Sequence, residues 1–291
     1  MEFRQVRYFL EIIEKGSFQK AADSLGLTQP ALSSQIAILE REFGETILER
    51  GPREIKLTYK GEIFRSYAEK MKELWRNCEE DMNRIDSEIN GKFSVSAGGT
   101  VSAWILPKII KQILNENPRL SLSVIEGDAS ETKDLVLSGK ADLGILTGPV
   151  KDPHLVTKEF LVDEIVPVVS KFHPLSGKTK ITEKDVRKEP FIFFHPASAV
   201  RIALEKKWRA EKISFDPKIL MELRSVESII KSVEEGLGIG FISRFSVSEN
   251  LKVLPLQELA AERKFFLCYK KNSRSGLLLL VDAILKWRDS L

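Results

Sequence analysis

Up to residue 91 the apolar positions of this chain recur every three or four residues, the helical period; beyond it, short apolar runs and alternations of the β period are interleaved with helical stretches. Phe3, Val6, Phe9, Leu10 and Ile13 mark a first helix. Phe18, Ala21, Ala22 and Leu25 form one face of a second, which Ser17 can cap and Gly26 can end, because glycine takes the left-handed conformation at little cost. Leu27 fills the corner. Thr28 then caps a third helix with Pro30 in its first turn, where the missing N–H is not needed. Ala31, Leu32, Ile36 and Leu39 are expected to face back onto the second helix, leaving Gln29, Ser33, Ser34 and Ala37 outward. This predicts a helix-turn-helix from Phe18 to Ala37, whose outward face would enter a major groove with its N-terminal residues first. An ordinary helical hairpin is the alternative that this pattern alone leaves open. After Gly44, residues 47–50 and 53–58 flank Gly51-Pro52 and read as a two-stranded wing.

Residues 58–91 contain no proline, and Gly61 stands near their start. Phe64, Ala68, Met71, Trp75, Cys78, Met82, Ile85 and Ile89 follow one another at alternating steps of four and three, with charged flanks. A heptad seam of this kind is the coiled-coil template, so a dimerising helix is expected, ended by Gly91. The alternative is an amphipathic helix packed on its own domain.

Further on, strands are expected at residues 93–97, 120–125, 141–146, 164–169, 191–194, 219–223 and 265–269, and residues 236–243 read as a glycine-rich turn into a further strand. Helices are expected at 105–115, 130–138, 198–210, 226–235 and 277–287. Strands alternating with helices imply a parallel sheet with covering helices.

Composition narrows the class. A chain of 291 residues is longer than one core usually serves, and 43% hydrophobic with 30% charged residues fits a globular protein. Met1-Glu2-Phe3-Arg4 leads straight into the first helix with no signal-peptide pattern, and the longest apolar runs, such as 277–281, are too short for a bilayer. Two cysteines, Cys78 and Cys268, fit a reducing compartment. A cytoplasmic location without membrane association is therefore expected. Net charge is only +3, and residues 1–58 hold eight bases against nine acids. A nucleic-acid-binding role must then rest on where charge lies: Arg50, Arg53 and Lys56 gather at the wing, and no acid stands between Thr28 and Leu39.

Candidate chemistry is sparse. Gly236-Leu237-Gly238-Ile239-Gly240 follows a helix and precedes a strand, the reverse of the dinucleotide fingerprint. His154, His173 and His195 show no zinc spacing, and no Ser-His-Asp set can be assembled. No catalytic residue, metal or cofactor is expected. Gly98-Gly99-Thr100-Val101-Ser102 is more informative. It follows a strand and opens a helix, where free amides favour an anion. Thr147-Gly148, after another strand, points to the same crevice, and His195 and Ser198 follow the strand at 191–194. Simple capping by Thr100 or Ser102, and an exposed loop at His195, are the competing readings. With no carboxylate evident around these donors, a small carboxylate or other oxyanion is the expected ligand, and Arg201 is a candidate counter-charge.

Phe9, Gly16-Ser17-Phe18, Ala21-Ala22, Leu25, Gln29-Pro30-Ala31-Leu32-Ser33, Gln35-Ile36, Leu39-Glu40, Gly44, Glu49-Arg50 and Leu57-Thr58 followed by Gly61 resemble the N-terminal domain of LysR-type transcriptional regulators. The later layout resembles that family more loosely. The resemblance implies a winged helix-turn-helix DNA-binding domain (1–58), a linker and dimerisation helix (59–91) and a two-lobed α/β effector domain (92–291) similar to periplasmic binding proteins. Lobe I would hold 92–161 and 265–291, lobe II 162–264, with the chain crossing near 161–164 and 263–265. It implies DNA contacts from Thr28, Gln29, Pro30, Ser33, Ser34, Arg50 and Arg53, and an effector cleft lined by Thr100, Ser102, Thr147, His195 and Ser198. The implied partners are double-stranded DNA at a pseudo-palindromic operator, a small-molecule effector and a second copy of the chain, as a homodimer or a dimer of dimers. RNA polymerase is a further partner the resemblance allows. Family members often carry Arg at the place of Ser34 and a basic residue at that of Ala37; both are absent, which suggests reliance on oligomerisation. The rival reading is an enzyme or a cytoplasmic solute-binding protein whose helical arm only oligomerises it.

Overall fold

The computed structural model describes residues 1–50, 55–82 and 89–291. The chain divides into two compact units, Met1–Arg84 and Ile85–Leu291. In the first, helices α1 (Phe3–Lys15), α2 (Phe18–Leu25) and α3 (Gln29–Phe43) are followed by strands β1 (Leu48–Arg50) and β2 (Ile55–Leu57) and by helix α4 (Tyr59–Met82). The core joins Val6, Phe9 and Ile12 of α1 to Phe18, Ala21 and Ala22 of α2, to Leu32, Ile36 and Leu39 of α3, and to Phe64 and Ala68 of α4. The alanines let α2 lie close against its neighbours, and Gly26, at φ 67°, turns the chain between α2 and α3.

The second unit begins with β3 (Gly91–Ala97), a π-helical turn at Val101–Ile105, α5 (Leu106–Glu116), β4 (Leu120–Glu126), α6 (Ala129–Ser138) and β5 (Leu143–Thr147). It continues with β6 (Leu155–Ser170), α7 (Glu183–Val186), β7 (Pro190–Phe194), α8 (Ala199–Ala210), β8 (Lys218–Leu223), α9 (Val226–Glu234) and β9 (Ile239–Ser243). A 3-10 turn at Arg244–Ser246, β10 (Leu251–Val253), β11 (Ala261–Lys270) and α10 (Ser275–Asp289) complete it. The strands form one sheet in the order β4-β3-β5-β11-β6-β9-β7-β8, with β10 on β6. β3 runs parallel to β4 and β5, and β7 runs parallel to β8 and β9. Between these groups β6 and β11 are long antiparallel partners, from Leu155↔Lys270 to Ile165↔Ala261.

Two large cores flank that pair, one around Val95, Ile105, Ile145, Phe160, Phe265 and Leu280, the other around Ile165, Val168, Phe191, Leu204, Ile229 and Phe241. Buried side chains pass from one core to the other between Leu161 and Ile165 on β6, and between Phe265 and Ala261 on β11.

Several expected boundaries move. The seam is not one surface: Phe64 and Ala68 are spent in the core of their own unit, and Met71 packs against that core. Ile85 lies outside the described residues, and Ile89 is buried in the second unit. α4 is described to Met82, and Gly91 opens β3 instead of closing a helix. β6 begins at Leu155, well before residue 164, because its first half buries one face only and so lacks the apolar run of its second half. β5 lies one or two residues later than expected, at Leu143–Thr147. The turn between β1 and β2, including Gly51, Pro52 and Arg53, falls outside the described residues.

Among the described residues no helix is long and apolar enough to cross a membrane, and no group of His, Cys, Asp or Glu is placed to hold a metal ion.

Candidate nucleic-acid interface and ligand cleft

In the first unit, α3 carries the candidate interface. Thr28 Oγ1 accepts from the Ala31 amide at 3.4 Å, and Pro30 sits in the first turn. Leu32, Ile36 and Leu39 are buried, so the opposite face is presented outward. Pro30, Ser34 and Ala37 are exposed. Ala31, expected to face inward, is exposed as well; the 3.6-residue period places it a full residue off the stripe centred on Leu32 and Ile36. Gln29 and Ser33 are half-buried and tied to each other, Gln29 Nε2 donating to Ser33 Oγ at 3.3 Å. The helix N-terminus carries a partial positive charge at the start of this face.

The wing is fastened to α3 by Glu40. Its Oε1 accepts from the amides of Ile47 at 2.9 Å and Leu48 at 3.2 Å, so this acid is turned inward. β1 and β2 pair in the register Leu48↔Leu57, Glu49↔Lys56 and Arg50↔Ile55. Thr58 then bonds the Thr46 carbonyl at 2.7 Å and accepts from the Gly61 amide at 2.9 Å. A Cβ on Gly61 would stand 2.1 Å from the Ile47 carbonyl oxygen, so only glycine lets α4 start against the wing. The role of Glu40 in this joint is written in no local pattern; Thr58 followed by Gly61 is the joint's trace in the sequence.

In the second unit, both groups of parallel strands send their carboxyl ends toward the β6–β11 crossing, where open α/β sheets place ligands. On the first side, β3 runs through Ala97 into Gly98-Gly99-Thr100, and β5 ends at Thr147, opposite Phe265. Ser102 Oγ donates to the Ala97 carbonyl at 3.2 Å. On the other side, β7 runs into His195, whose Nδ1 accepts from the Ala197 amide at 3.2 Å. Ser198 caps α8 by accepting from the Val200 amide. The sides meet where Gly99 lies against α9, the place of its missing Cβ being 3.8 Å from Val226 Cγ2.

Three features add to the expectation. Thr100 makes no capping bond, against the competing reading. Instead its hydroxyl, almost fully buried, accepts from Arg263 Nη2 at 3.0 Å. Arg263 is paired through Nε with Asp163 Oδ2 at 2.8 Å, and Ser243 Oγ donates to Asp163 Oδ1 at 2.6 Å. Burial pulls the Arg263 pKa below the usual arginine value while Asp163 opposes the fall, and arginine's basicity leaves the group charged. Secondly, Arg201 is no free counter-charge: its guanidinium bonds Glu205, Glu222 and the Phe194 carbonyl. Burial works against its charge, but the two carboxylates outweigh that and hold its pKa above the usual value. Thirdly, Glu126 Oε1 lies 3.1 Å from where a Gly99 Cβ would stand, so a carboxylate does border the crevice. The helix at Gly99 also begins with a π-helical turn, a local irregularity often found at functional sites. Residues 235–238 turn the chain from α9 into β9, and offer no strand-to-helix phosphate loop.

Comparison with known proteins accords with both units. Residues 3–62 match the model of the bacterial regulatory helix-turn-helix protein, lysR family, and residues 86–287 match that of the LysR substrate binding domain. A probable RuBisCO transcriptional regulator of Nostoc sp. is 30% identical over 280 residues, covering 92% of this chain and 82% of that one. The HTH-type transcriptional regulator CysL of Bacillus subtilis is 26% identical over 269 residues, covering 91% and 89%. Among solved structures, full-length CbnR complexed with its target DNA aligns over 98% of this chain and 99% of that one, with TM-score 0.67 and 20% identity. Full-length BenM aligns over 100% and 97%, with TM-score 0.56 and 26% identity.

Proposed function

The chain belongs to the LysR family of transcriptional regulators, and from that premise we propose how its parts divide the work. As a member it is a DNA-binding regulator with an effector-binding domain, not an enzyme. In our reading, Gln29, Ser33 and Ser34 on α3 face base edges in the major groove, Thr28 and Pro30 bring the helix start against the backbone, and Arg50 and Arg53 of the wing meet phosphate. The observation that carries this is the exposed face of α3 over its first turns, free of acids, with Glu40 turned inward to hold the wing. A gel shift on the DNA beside its own gene tests it. Gln29→Ala should change sequence preference at a cost of about 1–3 kcal/mol, and Arg53→Ala should weaken all sequences alike and flatten the salt slope by about one unit. Unchanged footprints and affinity in both variants would remove the assignment.

For the second unit we read the crevice lined by Thr100, Ser102, Thr147, His195 and Ser198 as the effector cleft. The Thr100 and Thr147 hydroxyls suit a small carboxylate or other oxyanion, the Val101 and Ser102 amides already donating to the Gly98 carbonyl, and Glu126 borders the Gly99 end of the crevice. A ligand at a hundred times its dissociation constant stabilises the folded state by about 2.7 kcal/mol, so a thermal-shift screen of metabolic acids would reveal it. We place the domain boundaries near residues 58 and 88 and the lobe crossings at 161–165 and 261–265. We further propose a cytoplasmic homodimer, or a dimer of dimers, joined through the distal part of α4. There Trp75, Cys78 and Met82 are exposed after the proximal seam has been used within its own unit.

A further inference from the structure

The crossing between the two halves of the second unit carries a buried polar chain that the effector reading does not by itself require. Asp163 on β6 and Arg263 on β11 are register partners on the two crossing strands, and both are buried. Each reaches to a different side. Arg263 donates to Thr100, in the first turn of the helix that leaves β3. Asp163 accepts from Ser243 at the end of β9, and Ser243 Oγ in turn accepts from the Phe245 amide at 3.1 Å. Apolar side chains cross at the same place: Trp104, in the π-helical turn, packs against the core around Phe241, and Phe245 packs against the core around Phe265.

We propose that Arg263 is a positioning residue that ties the effector cleft to the hinge. It occupies an acceptor lone pair of Thr100, which leaves that hydroxyl its proton to offer to a ligand acceptor. Through Asp163 it links the same hydroxyl to Ser243 on the opposite side. Occupation of the cleft at Thr100 and a change of angle between the halves then become one event. Hydrogen bonds in series polarise one another, so loosening one arm weakens the next. This rests on the reading of the cleft as the effector site.

The test is made without any ligand, so a failure of the effector reading would leave it untouched and would show only in the thermal-shift screen. In the full chain with Cys78→Ser, nitroxide labels at Ser130→Cys on α6 and Ser228→Cys on α9 report the distance across the cleft by pulsed dipolar spectroscopy, with labelled chains diluted into unlabelled ones. Both positions are exposed, and Cys268 is buried away from the label. Arg263→Lys keeps the charge beside Asp163 but lacks the fork that reaches Thr100 as well. Thr100→Val and Ser243→Ala each remove one arm and leave the ion pair intact, so they serve even where Arg263→Lys folds poorly. Each variant should broaden the distribution and move it to longer distances. Parental distributions in Thr100→Val and Ser243→Ala would overturn the proposal and reduce Arg263 to a neutralised buried charge. So would a shift in Arg263→Lys alone.

Discussion

Phe64→Ala separates two roles that the heptad pattern of α4 confounds. The Phe64 ring is 8% exposed and packs against Phe9 at 4.8 Å and Phe43 at 5.2 Å between centroids. Phe9 is fully buried at the centre of α1, so the cavity would open in the middle of the first unit. Truncating a buried phenylalanine costs about 3–5 kcal/mol, which includes the edge-to-face contact with Phe9 and the tilted one with Phe43. The opposite extreme on the same seam is Met82, 81% exposed, whose truncation should stay within about 0.5 kcal/mol of the parent for the chain's own fold. Because the two units need not unfold together, a single melting curve is the wrong assay. Amide hydrogen exchange reads each unit by itself. Phe64→Ala should lower the protection of α1 and α3 amides by about two to four orders of magnitude and leave β3, β5 and β11 as they were. Met82→Glu should leave all protection unchanged while sedimentation shows weakened self-association. If Phe64→Ala keeps parental protection in α1 and α3 and loses only the oligomer, Phe64 belongs to an interface between chains and the intrachain core described for it is wrong.

Other consequences follow from single contacts. Glu40→Ala leaves the amides of buried Ile47 and Leu48 without their acceptor, at about 1–3 kcal/mol, so those two amides should exchange faster and operator affinity should fall with no change of base preference. Gly61→Ala drives a Cβ into the Ile47 carbonyl and should destabilise the first unit by about 1–3 kcal/mol, seen as faster exchange across the wing and the start of α4. Cys268 is fully buried, and burial pushes its thiol up to about 11 from 9.0. The folded state therefore holds this proton above the pH at which the unfolded chain releases it. Stability should be unaffected below pH 9 and decline as pH rises from there toward 11. Cys268→Ala should flatten that alkaline arm in urea titrations, and at neutral pH a thiol reagent should label Cys78 first.

How far the sequence could be read depended on the distance over which the information lay. The helix-turn-helix is written in neighbouring residues. Ser17, Gly26, Thr28 and Pro30 each act within a few positions of themselves, and the structure places them as caps, turn and first-turn residue. The heptad seam is also local, but it states only that one face of α4 is apolar. It cannot say which partner covers that face, and here the unit's own core takes Phe64 and Ala68, with Met71 packed against it. Trp75 shows the ambiguity in one side chain, since its ring stacks on Phe3 at 4.8 Å while half of it stays exposed.

The chain at the hinge is the contrasting case, for its partners stand 80, 100 and 163 residues apart and belong to no motif. Even so, a trace of it lay in the β period. On β6, Asp163 shares the inward phase with Leu161 and Ile165; on β11, Arg263 shares it with Ala261 and Phe265. A charge on the buried phase of a strand is costly unless an opposite charge meets it. Two such violations of opposite sign, each on a strand long enough to cross a domain, predict that the strands pair and that the charges face one another. Inward charges on period-2 strands, read beside inward hydrophobes, thus point to the β6–β11 pair. The residues Gly98-Gly99-Thr100 alone point to donors for an anion; the structure adds Arg263 on the Thr100 hydroxyl and Glu126 beside Gly99.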